Sequence, residues 1–138
     1  MSMFYLSGGI TGLTDEEAYE WRDWFEKKLK DLGDTVRVFN PIRHFNLSDV
    51  EDGLVTDETV MDLELYRLRN SDFVIVNCLA PHSIGTNIEI GIALERRIPI
   101  LALNEKNVPL HPWLQIAPLA TFDNREDMLA FIDKHYVH

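Results

Sequence analysis

The stretch "DFVIVNCL", Asp72 to Leu79, decides the fold class of this 138-residue chain. Its four consecutive apolar residues, Phe73 to Val76, include three that are β-branched, and polar residues stand on both sides. A continuous run of this kind is typical of a central strand in a parallel sheet, where both faces of the strand are covered. Such a sheet requires helices that cross over from each strand to the next.

The rest of the chain supplies such strands and helices in alternation. Four further segments have the pattern of short buried strands: "MFYLS" (3–7), "TVRVFNP" (35–41), "IPILAL" (98–103) and "LATF" (119–122). Helical patterns occur at 14–32, 57–70 and 86–97, and a last one opens at the sequence Asp123-x-x-Glu126. Thr14 and Glu17 form a capping-box pattern at the first helix, and Gly33 supplies its stop.

This alternation predicts one α/β domain over residues 1–138. Right-handed crossovers make the expected fold a flavodoxin-like, doubly wound five-stranded parallel sheet, with strand order 2-1-3-4-5. Residues 42–56 and 104–118 are predicted to be connecting loops.

Charge and composition narrow the classes of partner. The net charge is −10, from 13 basic and 23 acidic residues. DNA, RNA and anionic membranes need a basic footprint, so we expect none of them as a partner. A small anionic ligand remains possible, because backbone N–H groups and helix ends can hold it.

The chain shows no signal-peptide pattern and no apolar run near the roughly 20 residues of a membrane helix. Its single cysteine, Cys78, cannot form an intrachain disulfide and is expected to be a small buried residue. His135 and His138 have no partner set for a metal ion, and we expect no metal or other cofactor. These features together predict a cytoplasmic protein.

Ligands of such sheets bind beyond the carboxyl ends of the strands, where the strand order switches. The loops after the first and third strands, "SGGITG" (7–12) and "CLAPHSIGTNIE" (78–89), are therefore the expected ligand crevice. The first loop departs from the dinucleotide fingerprint G-x-G-x-x-G at Ser7, and no acid follows the second strand to hold a ribose. Its glycines fit either a close approach to a ligand or a tight turn.

Glu89 stands among three isoleucines in the second loop. One interpretation is structural, because Thr86-x-x-Glu89 has the pattern of a capping box. Near a helix N-terminus a carboxylate is favoured in its ionised form, so we expect a low pKa for Glu89. A permanently charged carboxylate suits a nucleophile rather than a general acid.

Four segments in a fixed order carry a resemblance to a known family. They are "FYLSGGI", "FNP", "LRNSDFVIVN" and "SIGTNIEIGIAL", and the resemblance covers about residues 3–103. The sequence resembles the nucleoside 2-deoxyribosyltransferase family and its nucleotide N-glycosidase relatives. The resemblance implies an enzyme whose glutamate attacks C1′ of the sugar, expels the nucleobase and holds the sugar as an ester. A second base, or water, then takes the sugar with net retention.

The resemblance also implies roles for individual residues. Glu89 falls on the nucleophile, and Tyr5 falls on a tyrosine whose hydroxyl orients it, although Tyr5 also fits a core aromatic. The acid that assists the leaving base is expected eight residues before Asp72, which is Glu64 here, with Asp62 in reserve. The substrate-binding residues implied are Ser7, Gly8, Gly9, Asp62, Ser83, Gly85 and Thr86.

Ser83 leaves the reaction type open. Many transferases of this family carry an aspartate six residues before the nucleophile, where this chain has Ser83. A serine there resembles the branch that hydrolyses nucleoside 5′-monophosphates, yet Gly9 and Thr11 replace that branch's serine and arginine. Transferase and hydrolase both remain, and a nucleotide-binding module without turnover is a third possibility.

The expected partners are a nucleoside or nucleoside monophosphate and a free nucleobase, in nucleotide salvage. The resemblance further implies a homo-oligomer. Trp113, in the predicted loop 104–118, fits either stacking on a base or a contact between subunits.

Overall fold

The computed structural model describes residues 2–41, 53 and 56–137, so most of the predicted loop 42–56 lies outside the described residues. Its core is one five-stranded sheet in which all neighbouring strands are parallel and the order is β2-β1-β3-β4-β5. The predicted fold class and strand order are confirmed.

The five strands lie close to their predicted positions. They are β1 (Ser2–Gly8), β2 (Val36–Phe39), β3 (Phe73–Asn77), β4 (Ile100–Leu103) and β5 (Ala120–Phe122). The helices are α1 (Asp15–Lys30), α2 (Asp57–Arg69), α3 (Ile84–Glu95), α4 (Pro112–Ile116) and α5 (Arg125–Ile132), and a π-helical turn, Asp133–Val137, follows α5. Among the described residues, no helix has the length and apolar character needed to cross a membrane.

Side chains alternate between two cores along β1. Phe4 and Leu6 join the core under α1 and α5, whereas Tyr5 joins the core under α2 and α3. Because alternate residues of a strand share a face, Ser7 points to the same layer as Tyr5. Two neighbouring hydroxyls at the carboxyl end of β1 therefore face α3.

The amino end of α1 is capped as predicted. The N–H of Thr14 donates to Glu17 Oε1 at 2.9 Å, and the N–H of Glu17 donates to Thr14 Oγ1 at 3.1 Å. The helix ends at Lys30 with Asp31 as C-cap, two residues before the predicted limit.

The predicted start of α3 is wrong. The helix begins at Ile84, and its N-cap is Ser83, whose Oγ accepts from the N–H of Thr86 at 3.4 Å and from Thr86 Oγ1 at 3.1 Å. Serine and threonine are both good N-caps, and the serine three residues earlier takes this position. Glu89 consequently lies in the second turn of α3, and its side chain is free to reach β1.

Two other boundaries differ from the sequence prediction. The short helix α4 lies inside the predicted loop 104–118, with His111 as N-cap and Pro112 in its first turn. The cap of α5 is Asn124 rather than Asp123, because Asn124 Oδ1 accepts from the N–H of Asp127 at 2.8 Å. Cys78 is buried, as predicted.

Candidate active site

Both oxygens of the Glu89 carboxylate are held by hydroxyls from β1. The Tyr5 hydroxyl donates to Glu89 Oε2, and Ser7 Oγ lies 2.9 Å from Glu89 Oε1. Tyr5 and Ser7 are almost completely buried, while Glu89 is half-buried. The strand and the helix thus bring together three of the residues that the sequence singled out.

Burial dominates the ionisation of this cluster. Loss of solvent raises the pKa of Glu89 to about 7, although the hydrogen bonds from Tyr5 and Ser7 and the charge of Arg22 act to lower it. The expectation of a low pKa is wrong, because the helix dipole acts within the first turn and Glu89 lies beyond it. Burial and the neighbouring Glu89 raise the pKa of Tyr5 far above its usual range, so its hydroxyl stays a donor.

Glu64 is the second acid of the cluster. It is half-buried on α2, and burial raises its pKa. Its charge also raises the pKa of both Tyr5 and Glu89, which places the Glu64 carboxylate near them. Asp62 is exposed, and its position two residues earlier turns it about 200° away around the helix.

Arg22 is a functional candidate that the sequence interpretation missed. Its guanidinium is buried and donates three hydrogen bonds to main-chain carbonyls: Nε to Ala18 at 3.1 Å, Nη1 to Leu6 at 2.8 Å and Nη2 to Gly8 at 2.7 Å. It also lies 4.8 Å from the centroid of the Trp21 ring. The signal was available, because Arg22 interrupts the buried stripe of α1 formed by Ala18, Trp21, Phe25 and Leu29.

Gly8 and Gly9 allow neighbouring residues to pack closely against the start of the first loop. A Cβ added at Gly9 would lie 2.5 Å from Cβ of Ala80, and one at Gly8 would lie 2.8 Å from the Trp21 ring. Both distances are shorter than side chains tolerate. The loops after β1 and β3 are therefore in direct contact, which also places Gly9 beside Ser83.

The remaining predicted site residues lie at the amino end of α3. Ser83 is half-buried, Gly85 is exposed with open space around it, and Thr86 is buried with its hydroxyl turned to Ser83. Of these, Ser83 and Gly85 are accessible from solvent, whereas Thr86 supports the cap.

A cavity of about 550 Å³ lies on the opposite face of the sheet, against α1 and the ends of β3 and β4. Its lining includes five carboxylates, from Glu16, Glu17, Glu20, Glu105 and Asp123, and excludes Tyr5, Ser7, Glu64 and Glu89. Arg125 joins Glu20 and Glu105 across it at 2.8 Å each. The Glu89 cluster is thus separate from this acidic cavity. Among the described residues, no group of three or more potential metal ligands is found.

The fold and the cluster define a class: a doubly wound α/β protein with a half-buried carboxylate at the switch in strand order. No family model matches the sequence. A curated relative, the carbamoyl phosphate synthase large chain of Deinococcus deserti, is 24% identical over 99 residues, which cover 68% of this chain and 10% of that protein. The chain thus spans about a tenth of the length of this relative.

Solved structures with the same fold cover nearly the whole chain. The 2-deoxyribosyltransferase of Bacillus psychrosaccharolyticus superposes with a TM-score of 0.76 at 21% identity, covering 93% of this chain and 90% of its own. A Leishmania mexicana 2-desoxiribosyltransferase gives 0.72 at 14% identity, with 99% of both chains covered. The Clostridium botulinum CMP N-glycosidase gives 0.61 at 18% identity, covering 97% and 99%. At these identities the likeness establishes the fold.

Proposed function

We propose that this chain is an enzyme that cleaves the N-glycosidic bond of a (2′-deoxy)nucleoside and transfers the deoxyribosyl group to another nucleobase. The observation that carries the proposal is the Glu89 carboxylate, held through both oxygens by Tyr5 and Ser7 at the switch point of the sheet. The likeness in fold between this chain and two 2-deoxyribosyltransferases and a CMP N-glycosidase supports this choice of reaction.

Glu89 acts as the nucleophile. Its carboxylate oxygen bonds to C1′ while the bond from C1′ to the base nitrogen breaks, and the electron pair leaves with the base. In the second half, a nitrogen of the incoming base attacks C1′ and the Glu89 carboxylate leaves. Two inversions at C1′ give net retention. A pKa of about 7 keeps a substantial fraction of Glu89 ionised near neutral pH.

Glu64 assists the leaving base. A nucleobase leaves poorly as an anion, so a proton or hydrogen bond at its nitrogen lowers the barrier. Burial raises the pKa of Glu64, which favours the protonated form that can donate. The same group accepts the proton back when the second base attacks. Asp62, exposed on another side of α2, is the weaker candidate.

Hydrolysis of a nucleoside 5′-monophosphate is the second candidate, and the amino end of α3 favours it. Ser83 and the exposed Gly85 lie in the first turn, where main-chain N–H groups and the helix dipole favour an anion. Ser83 Oγ accepts from Thr86 and retains its own proton to donate to a phosphate. A nucleotide-binding module without turnover is the third candidate function.

Product analysis separates the three candidates. The protein is incubated with a deoxynucleoside and a different free base, and separately with a deoxynucleoside 5′-monophosphate, with Glu89→Gln as the control. Base exchange supports the transferase. Free sugar or sugar phosphate without exchange supports the hydrolase. Saturable nucleotide binding with no product in either assay contradicts the enzyme and supports the binding module.

The proposed substrates are a nucleoside or nucleoside monophosphate and a free nucleobase, handled without a cofactor in cytoplasmic nucleotide salvage. We also propose that the chain forms a homo-oligomer. A groove of about 380 Å³ lies between α3 and α4, lined by apolar and aromatic side chains. Trp113 beside it is 76% exposed and Ile116 on the same helix 78%, which is unusual for large apolar side chains and favours a covered surface.

A further inference from the structure

The buried guanidinium of Arg22 lies beside the carboxyl end of β1, beyond the residues that pair with β2. The ladder between β1 and β2 extends only as far as Tyr5, which pairs with Phe39. The carbonyls of Leu6 and Gly8 lie beyond the end of that ladder, and Arg22 satisfies both of them. These two carbonyls flank Ser7, so Arg22 fixes the main chain that carries the Ser7 hydroxyl.

Among residues 2–41, 53 and 56–137, no acid forms a direct ion pair with Arg22. All three of its hydrogen bonds end on main-chain carbonyls, from Ala18, Leu6 and Gly8. A buried cation without a bonded anion is costly unless an opposite charge lies nearby. The acids that its field reaches are Glu89 on α3 and Glu64 on α2, and each is stabilised in its ionised form by Arg22.

We propose that Arg22 is a positioning residue for Glu89: it holds the end of β1 in place, and its buried positive charge favours the ionised form of the Glu89 carboxylate. The proposal rests on the role of Glu89 as nucleophile given above. The groups whose hydrogen bonds or charges act on Glu89 are Tyr5 and Ser7 from β1, Glu64 from α2 and Arg22 from α1. Arg22 is the cation among these charged groups.

The direction of the pH effect follows from this arrangement. A nucleophilic carboxylate must be deprotonated, so kcat/KM rises with pH through the pKa of Glu89, at about 7. A cation lowers the pKa of a carboxyl group, and the charge of Arg22 acts on Glu89 in this direction. Loss of Arg22 therefore moves the acid limb of the pH profile to higher pH. For each pH unit by which the acid limb moves upward, kcat/KM falls about tenfold when measured at a pH well below the pKa of Glu89.

Two substitutions test the charge. Arg22→Met removes it and is expected to move the acid limb to higher pH. Arg22→Lys keeps the charge with fewer donors, so its acid limb stays near the wild-type position while kcat falls. Arg125→Met is the matched control, because this arginine is also largely buried and bonded to Glu20 and Glu105, away from Glu89. The proposal would be overturned if the acid limb of Arg22→Met lay at the same pH as that of the wild type.

A measurement on the unaltered arginine does not depend on activity or on the folding of an Arg22 variant. The nitrogen chemical shift of Arg22 Nε is followed by NMR between pH 5 and 9 in the wild type and in Glu89→Gln. The expected result is a titration with a midpoint near 7 in the wild type that is absent in Glu89→Gln. A flat wild-type shift overturns the role of Arg22. If the Arg22 Nε shift titrates but the protein yields no product, the coupling between Arg22 and Glu89 stands and the proposed enzymatic function is rejected.

Discussion

Ser7 Oγ donates a 2.9 Å hydrogen bond to Glu89 Oε1, and in this way the first strand of the chain positions a carboxylate of the third helix. The Tyr5 hydroxyl holds the other oxygen. Because Tyr5 and Ser7 are alternate residues of one buried strand, their separation is fixed by the pleat. A carboxylate held through both oxygens in this way keeps one orientation.

Glu89→Gln is expected to lower kcat by about 10³-fold or more, since an amide is not a nucleophile of comparable strength. The shape of the side chain is retained, so circular dichroism should be unchanged. A 2-fluoro-2-deoxynucleoside should leave one sugar covalently attached at position 89 in the wild type, seen by peptide mass spectrometry. Near-normal turnover in Glu89→Gln, or a trapped sugar on another residue, would contradict the assignment.

Stability is expected to fall as the pH rises from about 4.5 to about 7.5, by up to about 3 kcal/mol from Glu89 alone. The native pKa of about 7 lies above the ordinary value of 4.5. In this interval the native state holds a proton that the unfolded state has lost, so higher pH favours unfolding. Urea melts at several pH values should show this decline, and Glu89→Gln should show a smaller one. Equal declines in stability in the two proteins would show that Glu89 is not the source of this pH dependence.

Ser83→Ala is expected to cost about 0.5–2 kcal/mol of stability, because α3 loses its N-cap. If the protein hydrolyses nucleoside 5′-monophosphates, KM for the monophosphate should also rise about tenfold, from loss of a charged hydrogen bond. Asn124→Ala is the matched control, since it removes the N-cap of α5. Both variants with the same KM as wild type would exclude a phosphate role for Ser83.

Gly9→Ala is expected to destabilise the fold by about 1–3 kcal/mol, because the new methyl group collides with Ala80 at 2.5 Å. Replacing Ala80 by glycine in the same protein should restore most of that loss. Gly33→Ala, where a Cβ meets nothing within 4 Å, is the control and should be nearly neutral. Thermal melts of the four variants, including Ala80→Gly alone, check this. If the double variant melted no higher than Gly9→Ala, the contact would not be the cause.

Trp113→Ser is expected to weaken self-association, because it removes the largest exposed apolar side chain beside the groove between α3 and α4. Light scattering coupled to gel filtration, across a dilution series, measures the mass. Tyr66→Ser is the control, since Tyr66 is 58% exposed on α2 and lies outside that groove. A wild-type protein that stays monomeric at high concentration would rule out the oligomer.

The sheet could be predicted because its information is local. The apolar run at Phe73–Val76 and its counterparts set the strands, and the rules of crossover connections set their order. The pKa of Glu89 could not be predicted in this way. The pattern Thr86-x-x-Glu89 is a valid capping box, and only the competing cap at Ser83 and the contact with β1 show that Glu89 is desolvated.

The preference for Glu64 over Asp62 came from the resemblance alone and stays a prediction. The structure adds that Glu64 is half-buried on α2 and acts on Tyr5 through its charge, whereas Asp62 is exposed. The position of Arg22 on the apolar stripe of α1 was visible in the sequence. Its partners on β1 are main-chain carbonyls, which no side-chain pattern reveals.

The attachment of Arg22 to main-chain carbonyls has a consequence for sequence divergence. Every amino acid presents a main-chain carbonyl, so substitutions at positions 6 and 18 leave these acceptors of Arg22 in place as long as the backbone path is kept. At position 8 the Trp21 ring restricts the choice to glycine. The side chains around Glu89 can then change without loss of the arginine's anchorage. The positive charge on α1 would stay constant while its surroundings diverge.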